Sequence, residues 1–348
     1  MAEAYIVATA RTAGGRKGGR LSGWHPADLA ATVLNSLVER TGADPAQIED
    51  VIMGCVMQAG EQSNNIARNA IMASRLPESV PGTSIDRQCG SSQQALHFAA
   101  QAVMSGSMDC VIAAGVESMT RVPMGTPSVL AAKAGLGHYK SPGIEQRYPN
   151  IVFSQFTGAE MMAEKYGLSK DQLDEYSYNS HQRAIAATQA GRFKDEIIPL
   201  QITRADGITD THTIDEGIRF DVSLDGIKGV KLIAENGKLS AASASQICDG
   251  ASGVLVVNER GLVAARTHHQ DVGSRNGALA LGDAALDLFA GIGARVPLDH
   301  HHVLHQYLAR LAVHAQNAAG LAFIAPGDHL DGVFPLDIDA DRLGRLLL

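Results

Sequence analysis

Between residues 50 and 115 the sequence alternates short strand-forming runs with runs of helical spacing, and this alternation limits the fold more than any other feature. Residues 50–57 read as a strand, 66–74 as a helix ended by Leu76-Pro77, and 82–87 as a strand. Residues 94–104 read as a helix and 109–115 as a strand that is apolar almost throughout, the pattern of a strand buried on both faces. Strands alternating with helices in this way imply an α/β sheet covered on both sides. The pattern extends in both directions. Residues 4–9 form a β-rich opening strand, residues 12–23 a loop with five glycines, and Pro26–Thr41 a helix with Leu29, Val33, Leu34 and Leu37 at helical spacing. Residues 250–258, with Gly253-Val254-Leu255-Val256-Val257, read as a further apolar strand.

Within this frame, Ser84-Ile85-Asp86-Arg87-Gln88-Cys89-Gly90-Ser91-Ser92-Gln93-Gln94-Ala95 places a thiol, Cys89, on a short turn just ahead of a helix. Free backbone N–H groups and the positive end of a helix dipole favour the thiolate, which is the nucleophilic form of cysteine. The small neighbours Gly90, Ser91 and Ser92 leave room for a substrate beside the sulfur. Taken alone, the pattern favours a packed thiol, the commoner state of a cysteine beside an apolar helix. The junction of a strand and a helix is nevertheless a common place for chemistry on α/β sheets.

Composition narrows the function classes. The 348 residues allow a large core and about two domains. Hydrophobic residues make up 45% and charged residues 19%, with a formal net charge of -8, as in an ordinary mildly acidic soluble protein. A negative chain without runs of Lys or Arg is a poor partner for nucleic acid, which demands clustered positive charge. No stretch approaches the roughly 18 apolar residues of a membrane span, and no basic segment followed by an apolar one opens the chain. The cytoplasm is therefore the expected location. Four cysteines, Cys55, Cys89, Cys110 and Cys248, lie far apart without a CxxC pair, which suits reduced thiols better than a disulfide frame or a zinc site.

Several ordered stretches resemble the thiolase family, which transfers acyl groups between coenzyme A and an active-site cysteine. They are Tyr5-Ile6-Val7-Ala8-Thr9-Ala10-Arg11-Thr12, Gly60-Glu61-Gln62-Ser63-Asn64-Asn65-Ile66-Ala67-Arg68, the Cys89 loop, and Ala114-Gly115-Val116-Glu117-Ser118-Met119. Later come Asp215-Glu216-Gly217-Ile218-Arg219 and Ser240-Ala241-Ala242-Ser243-Ala244-Ser245-Gln246-Ile247-Cys248-Asp249-Gly250-Ala251. The likeness runs from residue 4 to about residue 262. It implies a thiolase-like α/β fold with an N-terminal α/β domain over 1–118 and 245–266. Residues 119–244 would form a loop domain that lies over the active site and binds coenzyme A. Cys89 falls on the cysteine that becomes acylated, Arg219 on an arginine near the nucleotide, and Ser245 on a serine along the pantetheine path. Arginine suits that place because its planar, permanently charged fork meets phosphate or stacks on adenine. Without the resemblance, Arg219 reads as a solvated surface residue and Ser245 as a cap or turn hydroxyl. Phe156-Thr157 stands where short-chain thiolases often carry His-Met. That departure points to a degradative enzyme acting on longer or bulkier 3-oxoacyl chains. The resemblance implies acyl-CoA and coenzyme A as substrates, no cofactor or metal, and a homo-oligomer associating through the first sheet, with residues 82–87 as a candidate strand.

After Arg266 the composition changes abruptly. The last Lys is Lys238 and the last Glu is Glu259, eight of the 13 histidines fall in the final 82 residues, and five Arg against nine Asp give these a net of -4. A thiolase is expected to continue with a second α/β half carrying Asn-Glu-Ala-Phe, Gly-His-Pro and a Cys-x-Gly, and none of these is present in residues 267–348. In the family a histidine activates the nucleophile and the second cysteine handles the proton at the enolate carbon. Two origins fit the tail: a shifted reading frame, which the Ala, Arg, Gly, Asp and His bias favours, or a divergent replacement. The expected consequence is an impaired acyltransferase or a protein that only binds acyl-CoA. Within the tail, His300-His301-His302-Val303-Leu304-His305 places His301 and His305 on one helix face, but no Cys, Asp or Glu ligand at a familiar spacing completes a metal site. An amphipathic helix is the simpler reading.

Overall fold

The computed structural model describes residues 3–203 and 207–262, and everything below concerns these. The expected tail, residues 267–348, and its histidine run at 300–305 lie outside the described residues. The chain opens with strand β1 (Tyr5–Thr12), the two-residue β2 (Gly15–Arg16) and helix α1 (Pro26–Thr41). Proline at the first helical position and the His25 imidazole, which accepts from Ala27 N–H, start α1 in place of the usual hydroxyl cap. There follow β3 (Asp50–Gly54), α2 (Ile66–Ala73), β4 (Gly82–Ile85), α3 (Ser91–Met104) and β5 (Cys110–Ser118). The alternation in the sequence is thus the alternation in the structure.

After β5 come α4 (Thr126–Lys133), α5 (Pro142–Arg147), α6 (Gln155–Lys165) and α7 (Lys170–Gln189). Short strands β6 (Ile197–Ile198), β7 (Leu200–Thr203) and β8 (Thr209–His212), helix α8 (Leu224–Lys228) and the long β9 (Cys248–Val257) complete the described chain. The main sheet runs β4-β3-β5-β9-β1-β6, with β2 added beside β9. β3, β4 and β5 are mutually parallel, whereas β9 is antiparallel to both β5 and β1. The sheet is therefore mixed, and its antiparallel member is the strand that returns from the far end of the intervening segment. Strand β6 comes from within residues 119–244 and adds to the same sheet by parallel pairing with β1.

Two apolar layers flank the sheet, and alternate residues of each strand serve them in turn, as the period of two demands. Val51, Met53, Ile112, Ala114, Leu255 and Val257 face α1 and α2 together with Leu29, Val33, Leu34 and Ile71. Ile52, Val111, Ala113, Val254 and Val256 face the opposite side, where α3 supplies Ala95, Leu96, Ala99 and Val103. The core thus explains why 110–115 had to be apolar at each position. No described helix is long and apolar enough to cross a membrane, and no described group of three or more His, Cys, Asp or Glu is placed to hold a metal ion.

Candidate active site at the carboxyl end of the sheet

Because β9 runs against β5 and β1, its first residues lie at the same end of the sheet as the last residues of β1, β3, β4 and β5. Cys89 follows β4, Ser245 precedes β9, and the loop after β1 meets the segment leading to Arg219, so the topology gathers all three segments at one end. That is the end where open α/β sheets place their ligands.

The Cys89 turn is tightly built. Gln88 N–H donates to Asp86 Oδ1 at 2.7 Å, Gly90 N–H to the Arg87 carbonyl at 3.0 Å, and Ser91 N–H to the Gln88 carbonyl at 3.0 Å. Gln88 itself sits in the left-handed region at φ 46°, which costs a non-glycine residue energy and needs a constraint. Cys89 is exposed, two residues ahead of the first residue of α3. The remaining thiols differ sharply. Cys55 and Cys110 are buried and Cys248 half-buried. Burial pushes all three thiols up, with help from Glu117 and Asp86 at Cys55, from Glu49 and Asp109 at Cys110, and from Asp249, Glu117 and Asp215 at Cys248. Cys110 and Cys248 reach about 12.

The first turn of α3 rests on two glycines paired across neighbouring strands, Gly54 of β3 and Gly115 of β5. A Cβ on Gly54 would lie 2.4 Å from Ser92 N, and one on Gly115 would lie 2.0 Å from Ser92 Oγ. Only a bare backbone lets the helix start this close to the sheet. Beside this platform, the Glu117 carboxylate accepts from Val56 N–H (2.8 Å), Met57 N–H (3.2 Å) and Gln62 Nε2 (2.7 Å), while Gln62 Oε1 accepts from Ser118 N–H at 2.6 Å. Burial raises the Glu117 pKa in spite of these donors. Sequence reasoning did not connect these residues; a glycine within one predicted strand, 50–57, and another at the end of the strand 109–115 were the signals available.

The segments that carry Arg219 and Ser245 are sewn to the loop after β1. Arg11, itself buried, donates to Asp215 through Nη1 (2.7 Å) and Nη2 (3.1 Å) and pairs with Glu196 through Nε at 2.6 Å. Burial opposes the charge, but Asp215 and Glu196 more than offset it and hold the guanidinium above its usual value. Asp215 also accepts from Gly14 N–H at 2.7 Å, and Glu216 Oε2 accepts from Arg20 N–H at 2.8 Å and Arg16 N–H at 3.1 Å. Gln246 Nε2 reaches the Gly217 carbonyl at 2.8 Å, which ties the Ser245 segment to the Arg219 segment. Arg219 is exposed, and its backbone N–H lies 3.4 Å from Nδ1 of His181 on α7. Burial and the Arg219 charge lower the His181 pKa, which favours the neutral ring that such a contact requires. Ser245 is exposed as well.

Comparison with known proteins decides what these parts belong to. The family profile described as thiolase, N-terminal domain, matches residues 4–260. The chain belongs to the thiolase family. A steroid 3-ketoacyl-CoA thiolase of Mycobacterium tuberculosis, FadA6, is 44% identical over 254 residues, covering 72% of this chain and 60% of that protein. A 3-ketoacyl-CoA thiolase of Pseudoalteromonas translucida is 39% identical over 248 residues, 70% of this chain and 61% of the relative. A beta-ketoadipyl-CoA thiolase of Escherichia coli is 37% identical over 258 residues, 72% and 64% respectively. The chain therefore spans a little over three fifths of the length of these thiolases. The residues matched by the family profile, 4–260, take in the sheet, the Cys89 turn and the intervening segment.

Proposed function

We propose that this chain performs thiolase-type acyl transfer with Cys89 as the nucleophile, 3-oxoacyl-CoA and coenzyme A as substrates, and Arg219 and Ser245 as coenzyme A contacts. The observation that carries the reading is the contrast among the four thiols: Cys89 stands exposed on the turn before α3, whereas the others are buried or half-buried with thiols pushed up. In thiolysis the Cys89 thiolate attacks the 3-keto carbon, the bond to the α carbon breaks, and acetyl-CoA departs as an enolate that takes up a proton. Coenzyme A then removes the acyl group from the sulfur. Each proton transfer is worth about 10²–10⁴-fold when a placed acid or base performs it. No cysteine follows Cys248 within these 348 residues, and the second proton handler of the family is a cysteine. Acylation needs chiefly a thiolate and an oriented thioester, and turnover needs more. An acyl-enzyme that forms and persists is the expected behaviour, and coenzyme A is a substrate rather than a resident cofactor.

Phe156, in the first turn of α6, replaces the histidine of short-chain family members, and supports a longer or bulkier acyl group; the steroid name of the Mycobacterium relative agrees. The reaction belongs to cytoplasmic degradation of 3-oxoacyl-CoA. Incubation of the full chain with acetyl-CoA or acetoacetyl-CoA, followed by intact-mass and peptide mapping, tests the reading. One acyl adduct on the Cys89 peptide, absent in Cys89→Ser, is expected, with thiolysis slow or undetectable. Label spread over Cys55, Cys110 and Cys248, or no label at all, refutes the nucleophile, and rapid turnover refutes the impairment.

A further inference from the structure

A single buried hydroxyl closes the turn that carries Cys89. Ser91, only 3% exposed, accepts from Arg87 N–H through Oγ at 2.9 Å and donates through the same oxygen to the Gln88 carbonyl at 2.6 Å. The Ser91 backbone N–H reaches that same Gln88 carbonyl at 3.0 Å. One side chain thus grips the backbone on the N-terminal side of Cys89 at two points, while its own backbone belongs to the first turn of α3. Between these anchors stands Gln88 at φ 46°, a conformation that a non-glycine residue keeps only when its surroundings over-determine it.

We propose that Ser91 is a positioning residue for the Cys89 thiol: its hydroxyl clamps the turn and so holds the sulfur in place ahead of α3. The proposal rests on Cys89 being the nucleophile assigned above. Removing the hydroxyl leaves the Gln88 carbonyl with the Ser91 N–H, so that group stays satisfied. Arg87 N–H, in contrast, loses its acceptor at a partly buried position, and the free energy of the turn rises by the cost of that orphaned donor. The constraint on Gln88 weakens at the same moment. Relaxation of Gln88 towards right-handed φ redirects the following Cα–Cβ bond, and Cys89 is the following residue. Gly54 and Gly115 hold Ser92 against the sheet independently, so α3 itself stays docked and the displacement falls on the turn.

The test compares Ser91→Ala with Ser91→Thr, which keeps a hydroxyl, and with Ser36→Ala, which removes a buried hydroxyl on α1 that accepts from Arg40 Nε. Three quantities are read on the full chain: the melting temperature, the rate of Cys89 alkylation by iodoacetamide at fixed pH, and the dependence of Cys89 acylation on acetoacetyl-CoA concentration. Ser91→Ala is expected to lower the limiting acylation rate about tenfold or more, since small misplacements of a reacting atom cost that much. Its half-saturating concentration should stay unchanged, and its alkylation should slow. Ser91→Thr should react as the parent does, and Ser36→Ala should melt earlier without any change in either rate. Ser91→Ala that reacts at the parent rate, or Ser91→Thr that reacts as slowly as Ser91→Ala, overturns the proposal. Should Ser91→Ala fail to fold, hydrogen exchange in the parent chain decides: the Arg87 amide must exchange slowly, and exchange at the rate of an unprotected amide overturns the clamp. If the parent alkylates at Cys89 but takes no acyl group, the acyltransferase reading fails, and the alkylation comparison still judges Ser91.

Discussion

Arg11 and Asp215 lie 204 positions apart and meet as a doubly hydrogen-bonded pair with both side chains nearly removed from water. The arrangement has high stakes, because a buried ion pair adds little net stability while intact and a great deal of instability once halved. Arg11→Ala leaves the Asp215 carboxylate with the Gly14 N–H and no cation among the partners described here. The expected loss is about 3–5 kcal/mol of unfolding free energy, read from urea titration, with Arg11→Lys in between because an ammonium cannot form the paired fork. A loss under about 1 kcal/mol would mean that the pair is not held as described. At this scale the sequence showed Cys89 and its small neighbours, since a turn ahead of a helix is a local pattern. It showed Arg11, Asp215, Gln62 and Glu117 only as members of separate family stretches. Their partnerships are products of the folded topology, and nothing within a window of ten residues announces a partner 55 or 204 positions away.

The longer elements with a buried face were legible, whereas the short strands β6 and β7 went unread although they bury Ile197, Leu200 and Ile202. Helix α1 matches its sequence range, and the strand and helix boundaries from 66 to 104 differ by a few residues, as ends commonly do. The Ser169 cap of α7 is a full capping box, with Gln172 N–H on Ser169 Oγ at 3.2 Å and Ser169 N–H on Gln172 Oε1 at 2.8 Å. Helices α4 and α5 bury no residue, so no apolar stripe marked them in the sequence. The strand read as 50–57 stops at Gly54 because the Ser91–Ser92 backbone sits against that glycine and the chain turns away. The segment bearing α4 is tied back by Arg121, which donates to Glu61 at 2.7 Å and to the Ser22 carbonyl at 2.9 Å. The Arg121 hydrogen bond holds the Glu61 carboxyl below its usual range despite some burial. A carboxyl whose folded pKa is depressed stabilises the fold above its unfolded value, about 4.3, and loses that contribution as pH falls through the folded value. Arg121→Gln is therefore expected to be less stable than the parent at neutral pH, by about 1 kcal/mol or less for so exposed a pair. In acid the two stability curves should converge, and a gap that stays constant down to pH 2 would assign Arg121 some role other than this ion pair.

The scale of the whole molecule is set by what the sheet leaves open. Strand order places β4 at one edge and the two-residue β6 at the other, so β4 presents the longer outer row of backbone groups. The family resemblance pointed to residues 82–87 as a strand for association, but the edge position itself follows from sheet order, with β9 returning between β5 and β1, and not from any property of β4. An edge strand of this kind is a template for pairing unless something covers or blunts it. Asn65 does part of this, donating through Nδ2 to the Gly82 carbonyl at 2.8 Å, and its Oδ1 accepts from Ser84 Oγ at 2.9 Å. The strand carries no Lys, Pro or bulge, and Thr83 is exposed at its centre. A second copy of the chain, adding its own β4 across a two-fold axis, would satisfy the row with self-complementary geometry. The protein is accordingly expected to scatter light as a homodimer or a multiple of one. Thr83→Lys, which sets like charges near each other across that axis, should shift it towards the monomer while far-UV circular dichroism stays unchanged. A parent chain that melts cooperatively as a monomer, or Thr83→Lys that remains as associated as the parent, removes β4 as the contact.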